Sequence, residues 1–224
     1  PTALSFVPRL PFSWLKGKRF RRKTAVVATI HSLDWRRRKW GPVARAFLRL
    51  GGWAARRFPD RTIAVSQTII AHFGERGKEL VYIPNGVEAA RKETLEELRK
   101  FGIDRKGYVL WIGRFVPEKR VEDLIAAYRR VAPPVPLVLA GEVDERDSYM
   151  RSLRDAAAGE PRILFTGGLY GRAKAEAFSH AGLVVQPSDL EGFPIVLLEA
   201  MRYGRPILAS DIPEHMEAIR PGEN

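Results

Sequence analysis

The sequence contains no cysteine and only four histidines, at positions 31, 72, 180 and 215. Without cysteine the chain forms neither disulfides nor thiolate metal sites, which is typical of a protein from a reducing compartment. No two histidines are spaced i, i+4, so we expect no metal cage. No apolar run approaches the roughly 20 residues of a membrane-spanning helix, and the first residues have no apolar segment followed by a small-residue cleavage site. These absences predict a cytoplasmic protein without a resident metal.

Two common phosphate-binding motifs are also missing. Neither G-x-x-x-x-G-K-[ST] nor G-x-G-x-x-G occurs in the chain, and no serine stands in the strand-turn-helix context of a nucleophile elbow. Any phosphate must therefore be bound by other groups, and serine-based hydrolysis is not indicated.

The net positive charge of the chain comes entirely from its first quarter. Residues 1–60 hold 15 of the 38 Lys and Arg but 2 of the 26 Asp and Glu, which leaves 23 basic and 24 acidic residues elsewhere. Within this quarter, the basic cluster Lys16–Lys23 is interleaved with aromatic residues. The pattern fits an anionic membrane surface, a nucleic acid bound through phosphate contacts and stacking, or a solvated basic face.

Alternating apolar and amphipathic segments predict an α/β protein with parallel sheets. In the first part, strands are expected at 24–30, 62–66 and 80–83, with a helix over 42–58 that Gly51-Gly52 weakens and a short helix capped by Ser66. The highly charged residues 88–106, with a short helix from Glu93 to Phe101, look like a connection between two sheets.

From Tyr108 onward the alternation is regular and predicts a doubly wound domain. Strands are expected at 108–112, 137–140, 163–165, 183–186 and 207–209, and helices near 119–131, 147–158, 171–181, 194–203 and from Glu214. Turn residues at the strand ends, Gly113 among them, should line one edge of the sheet, where a nucleotide would lie.

Two cations flank the first strand-to-helix turn of that domain. Arg114 follows Gly113 directly, and Lys119 comes five residues after Arg114. Together they could hold a diphosphate, the arginine as a fork and the lysine as a point charge. The alternative is that both are ordinary solvated surface cations.

Two carboxylates follow the strand at 183–186. Glu191 lies in a strand-to-helix loop, and Glu199 lies in the helix that Pro194 begins and Gly204 ends. An acid/base pair is disfavoured, because one residue is on a loop and the other on a rigid helix beside an anion-favouring N-terminus. Acceptors there suit a hydroxyl-rich ligand, whereas the alternative is that Glu199 is solvated and Glu191 caps a turn.

Taken together, these segments resemble the retaining glycosyltransferases of family 4. The donor half is matched by Gly113-Arg114…Glu118-Lys119, Pro187-Ser188…Glu191-Gly192-Phe193-Pro194…Glu199-Ala200-Met201 and Gly204-Arg205-Pro206; the acceptor half is matched by Thr29-Ile30-His31, Ala64-Val65-Ser66 and Ile83-Pro84-Asn85-Gly86-Val87. The resemblance implies the GT-B architecture, in which two Rossmann-like domains face a cleft.

The resemblance also implies a division of the chain. Residues 1–87 would be a partial acceptor-side domain, 88–107 a linker and 108–224 the domain that binds the nucleotide-sugar donor. Relative to the family pattern, a first strand, a Gly-rich loop and a C-terminal tail are absent, so the first domain is expected to be incomplete and the chain to be a fragment.

Residue roles follow from the same resemblance. Arg114 and Lys119 would hold the diphosphate, and Glu199 would accept hydrogen bonds from the ribose hydroxyls. Glu191 and the backbone around Gly192, Phe193 and Pro194 would hold the sugar, and His31 would face the reacting centre from the acceptor side. Arg114, Lys119 and helix N-termini would stabilise the departing diphosphate without a divalent metal or another cofactor.

The implied function is transfer of a sugar from a nucleotide-activated donor to a glycan or lipid-linked acceptor, with retention of configuration. Residues 1–60 would suit an anionic membrane surface, and the protein would then be peripheral on the cytoplasmic membrane face. The alternatives are a non-catalytic nucleotide-sugar-binding fragment and a basic nucleic-acid-binding protein. A nucleic-acid partner is disfavoured because no nucleic-acid-binding motif is present.

Overall fold

The computed structural model describes residues 25–37, 40–74, 80–90, 93–104 and 106–220. The chain forms two compact units. The first comprises the described residues up to Asn85 together with Glu191–Phe193, and the second comprises Gly86–Leu190 and the chain from Pro194 onward. The predictions for the basic cluster Lys16–Lys23 fall outside the described residues. In the described ranges, no helix is both long and apolar enough to cross a membrane.

The first unit contains a parallel sheet in the order β1-β2-β3. Its elements are β1 (Val27–Ile30), a 3-10 turn (Asp34–Arg36), α1 (Pro42–Arg57), β2 (Arg61–Ala64), α2 (Gln67–Phe73) and β3 (Leu80–Tyr82). The three strands predicted from the sequence are present, each somewhat shorter than expected.

Local chemistry sets the helix boundaries in this unit. The Ser66 hydroxyl accepts a hydrogen bond from the Ile69 amide at 3.3 Å, which confirms the predicted cap of α2. The expected weakness at Gly51-Gly52 does not break α1, because Gly52 serves packing. A Cβ at Gly52 would lie 2.7 Å from the Trp35 ring, so the glycine lets this buried indole approach the helix backbone.

The second unit contains a five-stranded, wholly parallel sheet in the order β6-β5-β4-β7-β8. Its strands are β4 (Tyr108–Ile112), β5 (Leu137–Ala140), β6 (Ile163–Gly167), β7 (Ala181–Gln186) and β8 (Ile207–Ala209). Its helices are α3 (Val121–Val131), α4 (Ser148–Ala157), α5 (Gly171–His180), α6 (Ile195–Arg202) and α7 (Pro213–Ala218), with 3-10 turns at Pro117–Lys119 and Leu98–Phe101.

Successive side chains of the central strands enter opposite cores. Leu110 and Ile112 of β4 belong to one buried cluster, and Trp111 between them belongs to the other. In β5, Val138 and Leu139 divide in the same way. A parallel sheet that is apolar on both faces must be covered by helices on both faces. The predicted α/β class with doubly wound topology is therefore confirmed for this unit.

The helix predicted from Glu93 to Phe101 is wrong, because only the 3-10 turn forms there. The reason is a buried carboxylate. Glu176 of α5 is fully buried, and its Oε2 accepts hydrogen bonds from the backbone N–H groups of Glu96, Glu97 and Leu98 at 2.8–3.2 Å. The carboxylate thus binds three consecutive amides, and Arg172 bridges it to Glu96. These bonds attach the charged segment to the second unit.

Candidate functional site

A glycine follows each of the strands β4 and β5, so their carboxyl ends approach each other without intervening side chains. The Gly113 amide donates to the Ala140 carbonyl, and the Gly141 amide donates to the Gly167 carbonyl, both at 2.9 Å. A Cβ at Gly141 would lie 2.1 Å from the Gly113 oxygen, so no side chain fits there. This edge therefore presents backbone groups, as a nucleotide-binding edge requires.

A buried phenylalanine anchors the loop that carries the two candidate cations. Phe115 is 6% exposed and packs 4.9 Å from the Trp111 ring and 5.9 Å from the Phe165 ring, centroid to centroid. Arg114 before it is exposed, and Lys119 after it is half-buried at the end of the 3-10 turn. The loop is thus fixed from beneath, while both cations lie in the second unit near the edge of the sheet.

The same loop is bonded to the loop that follows β7. The Asp189 amide donates to the Glu118 carbonyl at 2.9 Å. Arg120 has left-handed backbone (φ +52°) and its guanidinium pairs with Asp123 at 2.6 Å, with Asp189 3.9 Å away. The hydrogen bond from Arg120 to Asp123 is the main cause of the raised pKa of Arg120. Sequence reasoning missed Arg120 and Asp189, because nothing in the sequence marks a left-handed arginine.

Glu199 is not a solvated helix residue, so that interpretation is wrong. Its side chain is 15% exposed, and its Oε1 lies 2.6 Å from the Lys174 ammonium of α5. Its Oε2 is buried and has no hydrogen-bond partner among the described residues. A carboxylate oxygen without a donor is costly when buried, so this oxygen needs a donor that the described residues do not supply. The sequence did not identify Lys174, because it lies on a different helix, 25 residues before Glu199, and no residue pattern links the two.

A second group of predicted residues lies in the first unit. A Cβ at Gly192 would lie 2.2 Å from the His31 carbonyl oxygen, so the glycine permits backbone contact there. Phe193 packs against the apolar cluster that contains Leu33 and Trp35. His31 itself is exposed directly after β1, and Glu191 is half-buried.

The predicted site residues therefore fall into two sets. Gly113, Arg114, Lys119, Pro194 and Glu199 belong to the second unit, whereas His31 and Glu191–Phe193 belong to the first. Pro194 is buried just before α6 and has no N–H, so any backbone donors in this stretch come from Gly192, Phe193 and the first turn of α6.

One further pair lies after β5 and β6, and the sequence did not single it out. The Tyr170 hydroxyl donates to Glu142 Oε1 at 2.6 Å, and the Tyr170 ring is 66% exposed. This hydrogen bond is the main cause of the raised pKa of Tyr170. Among the described residues, no three His, Asp or Glu side chains cluster as metal ligands would.

Family comparison matches almost the whole chain. The model for glycosyl transferases group 1 matches residues 93–224, and the model for glycosyltransferase family 4 matches residues 7–91.

Individual relatives agree with the family match. Over 212 residues the chain is 31% identical to the glycogen synthase of Mycobacterium tuberculosis, a match that covers 88% of this chain and 49% of that protein. It is 34% identical over 154 residues to the phosphatidyl-myo-inositol mannosyltransferase of Mycobacterium leprae, covering 66% of this chain and 39% of that protein. The chain thus spans about half or less of the length of these relatives.

Among solved structures, HepE of Anabaena in complex with UDP and glucose superposes with a TM-score of 0.79. The match covers 99% of this chain and 60% of HepE at 23% sequence identity. At that identity the likeness shows the fold, and it agrees with the Rossmann-like organisation described above.

Proposed function

This chain belongs to the glycosyl transferases group 1 family, and from that premise we propose that the protein transfers a sugar from a nucleotide-diphosphate donor to a glycan or lipid-linked acceptor. The observation that carries the proposal is the Glu199 carboxylate, whose Oε1 pairs with Lys174 while Oε2 is buried without a donor. A ribose hydroxyl would supply that donor and relieve the cost of the unpaired oxygen.

Arg114 and Lys119 bind the diphosphate in this proposal. When the bond between the anomeric carbon and the phosphate oxygen breaks, its electron pair goes to the diphosphate. Two cations on an anchored loop stabilise that charge without reorganising, which is the largest single term in many enzymes. The proposed chemistry therefore requires no divalent metal and no further cofactor.

The sugar is held by Glu191 and the backbone of Gly192 and Phe193, and His31 faces the acceptor. The acceptor hydroxyl forms its bond to the anomeric carbon on the face that the diphosphate leaves, so the configuration is retained. The hydroxyl proton passes to the departing phosphate oxygen. Support for this assignment is the family resemblance and the close approach of Gly192 to the His31 carbonyl.

The setting proposed for this reaction is the synthesis of polysaccharide or lipid-linked glycan in the cytoplasm, on the cytoplasmic membrane face. HepE binds UDP and glucose, and the mannosyltransferase named above acts on phosphatidyl-myo-inositol by its name. The basic composition of residues 1–60 suits an anionic membrane surface rather than a nucleic acid.

A calorimetric screen tests the proposal. The chain is titrated with UDP-glucose, GDP-mannose and the two free nucleoside diphosphates. We expect one nucleotide series to bind in the micromolar to millimolar range typical of enzyme substrates. The Glu199→Gln variant should bind more weakly by about tenfold, since the amide oxygen accepts a weaker hydrogen bond than the charged carboxylate does. Glu145→Gln, an exposed carboxylate of the same unit, is the control. Binding of no nucleotide would contradict the proposal.

A further inference from the structure

Helix α1 carries large apolar side chains on the face that points away from its own core. Leu48 and Ala55 pack against the core of the first unit, and Gly52 contacts Trp35. On the other side, Val43 is 85% exposed, Leu50 57%, Trp53 54% and Phe47 42%. Scattered exposed apolar residues are ordinary, but four on one helix form a patch that needs a partner.

The spacing of these residues makes the patch continuous. Val43, Phe47 and Leu50 follow the i, i+4, i+7 pattern, and Trp53 extends it. At 100° per residue all four side chains fall within an arc of about 120°. The helix is thus apolar on two faces, and the core of the first unit covers only one of them.

The charges on α1 are of one sign. Its sixteen residues include Arg45, Arg49, Arg56 and Arg57 and no Asp or Glu. Arg49 and Arg57 are exposed and lie beside the apolar stripe. A basic amphipathic helix of this kind suits a membrane surface, where the apolar face enters the interface and the cations meet lipid phosphates.

A shallow pocket of about 380 Å³ adjoins the stripe. It is lined by Trp35, Arg49, Trp53, Arg56, His72 and Phe73. Arg56 is held in place, because its Nη1 donates to the Phe73 carbonyl at 2.8 Å and its guanidinium lies 5.7 Å from the centre of the Phe73 ring. Aromatic walls with arginines at the rim match the boundary between lipid acyl chains and phosphate headgroups.

We propose that α1 docks on the surface of an anionic phospholipid bilayer, with Val43, Leu50 and Trp53 in the interface and Arg49 and Arg57 on lipid phosphates. The charge of the surrounding sequence favours lipid over a protein partner, since residues 1–60 hold 15 cations and two acids and anionic headgroups attract such segments. The inference rests on the proposed function in one respect: a lipid-linked acceptor requires the enzyme to reach a membrane.

Vesicle flotation without any donor sugar tests this inference. We expect the chain to float with phosphatidylcholine–phosphatidylglycerol vesicles and to remain in the soluble fraction with phosphatidylcholine alone. Leu50→Asp should reduce the bound fraction about tenfold or more, because an apolar contact becomes a repelled charge. Val131→Asp, which alters a 71% exposed apolar residue of the second unit, is the matched control and should bind as the parent does.

The cationic part of the surface is tested separately. Arg49→Glu combined with Arg57→Glu should also reduce binding to the anionic vesicles by about tenfold or more, at roughly fivefold per cation. The control is Arg130→Glu, an exposed arginine of α3, which should bind normally.

Two results would overturn the inference. The first is equal binding to neutral and anionic vesicles. The second is vesicle binding that Leu50→Asp leaves unchanged; if that variant also unfolds at lower temperature or changes its oligomeric state, protein covers the stripe. Nucleotide-sugar binding of Leu50→Asp should remain that of the parent, so failure here leaves the transferase proposal standing.

Discussion

The two sheets differ in how their strands are buried. In the second unit β5 is buried at every residue and β4 at four of five, whereas β1 and β2 of the first unit are buried at alternate residues and β3 is largely exposed. A strand covered on both faces belongs to a core that its own domain completes. The second unit therefore fixes its candidate site with its own packing, while the first leaves apolar surface on β3 and α1.

We expect the catalytic contribution also to differ between the two units. The largest loss of turnover is expected when a cation of the second unit is removed. Arg114→Ala or Lys119→Ala should lower turnover in a sugar-transfer assay by about 10²–10³-fold, the scale for losing one group that stabilises developing charge. Neither variant should change the unfolding temperature by much. Arg130→Ala is the control, and unchanged turnover in the two test variants would remove the diphosphate role.

The packing difference is tested by two glycines. Gly141→Ala places a Cβ 2.1 Å from the Gly113 oxygen and should lower the free energy of unfolding by about 2–3 kcal/mol. Gly41→Ala before α1 meets nothing within 4 Å and should cost only a few tenths of a kcal/mol. Urea unfolding measures both. Equal costs would mean that the strand ends can separate, contrary to the account of this edge.

The Lys174–Glu199 ion pair should matter more than a surface pair of equal length. Lys174→Met removes the partner of a largely buried carboxylate and should lower the free energy of unfolding by about 1–2 kcal/mol. Lys100→Met breaks a pair that is also 2.6 Å long, but its lysine is 67% exposed, so the cost should be below about 0.5 kcal/mol. A cost as small as that of Lys100→Met would show that Glu199 does not need its partner.

The smallest effect concerns His72 in the first unit. Burial, then Arg36 and Arg49, hold its pKa below the ordinary value of 6.5. Because protonation is disfavoured in the folded state, the stability from this group is complete above pH 6.5 and is lost as pH falls through the lower folded pKa.

NMR titration of the His72 imidazole protons checks the direction of this pKa shift. Arg36→Gln should raise the pKa of His72, since the Arg36 guanidinium lies 3.3 Å from Nδ1. An exposed arginine elsewhere in the unit, Arg61, provides the control substitution. A pKa at or above 6.5 in the parent would contradict the direction.

The sequence predicted the strands of the second unit, but it did not predict the structure of the charged segment that precedes them. Short apolar runs located all eight strands of the described residues, because a strand in a parallel sheet covered on both faces is apolar throughout. The helix expected from Glu93 to Phe101 does not form. The Glu176 carboxylate, some 80 residues along the chain, instead binds three backbone amides of this segment. Long-range polar contacts of this kind leave no local pattern.

The same limit applies to the candidate site. The positions of Arg114 and Glu199 relative to strand ends followed from the sequence, because parallel strands align their carboxyl ends at one edge. The pairing of Lys174 with Glu199, the left-handed Arg120 and the contact of Tyr170 with Glu142 are tertiary facts. Residue spacing does not encode them.

The most direct test of the account is a coupling measurement between Glu199 and the ribose. Calorimetry compares the preferred nucleoside diphosphate with its 2′,3′-dideoxyribose analogue, in the parent chain and in Glu199→Ala. We predict that removing the hydroxyls costs the parent about tenfold in affinity and costs Glu199→Ala almost nothing, since the acceptor is already gone. An equal loss in both proteins would contradict the ribose contact, and with it the assignment of this buried oxygen to a nucleotide-sugar.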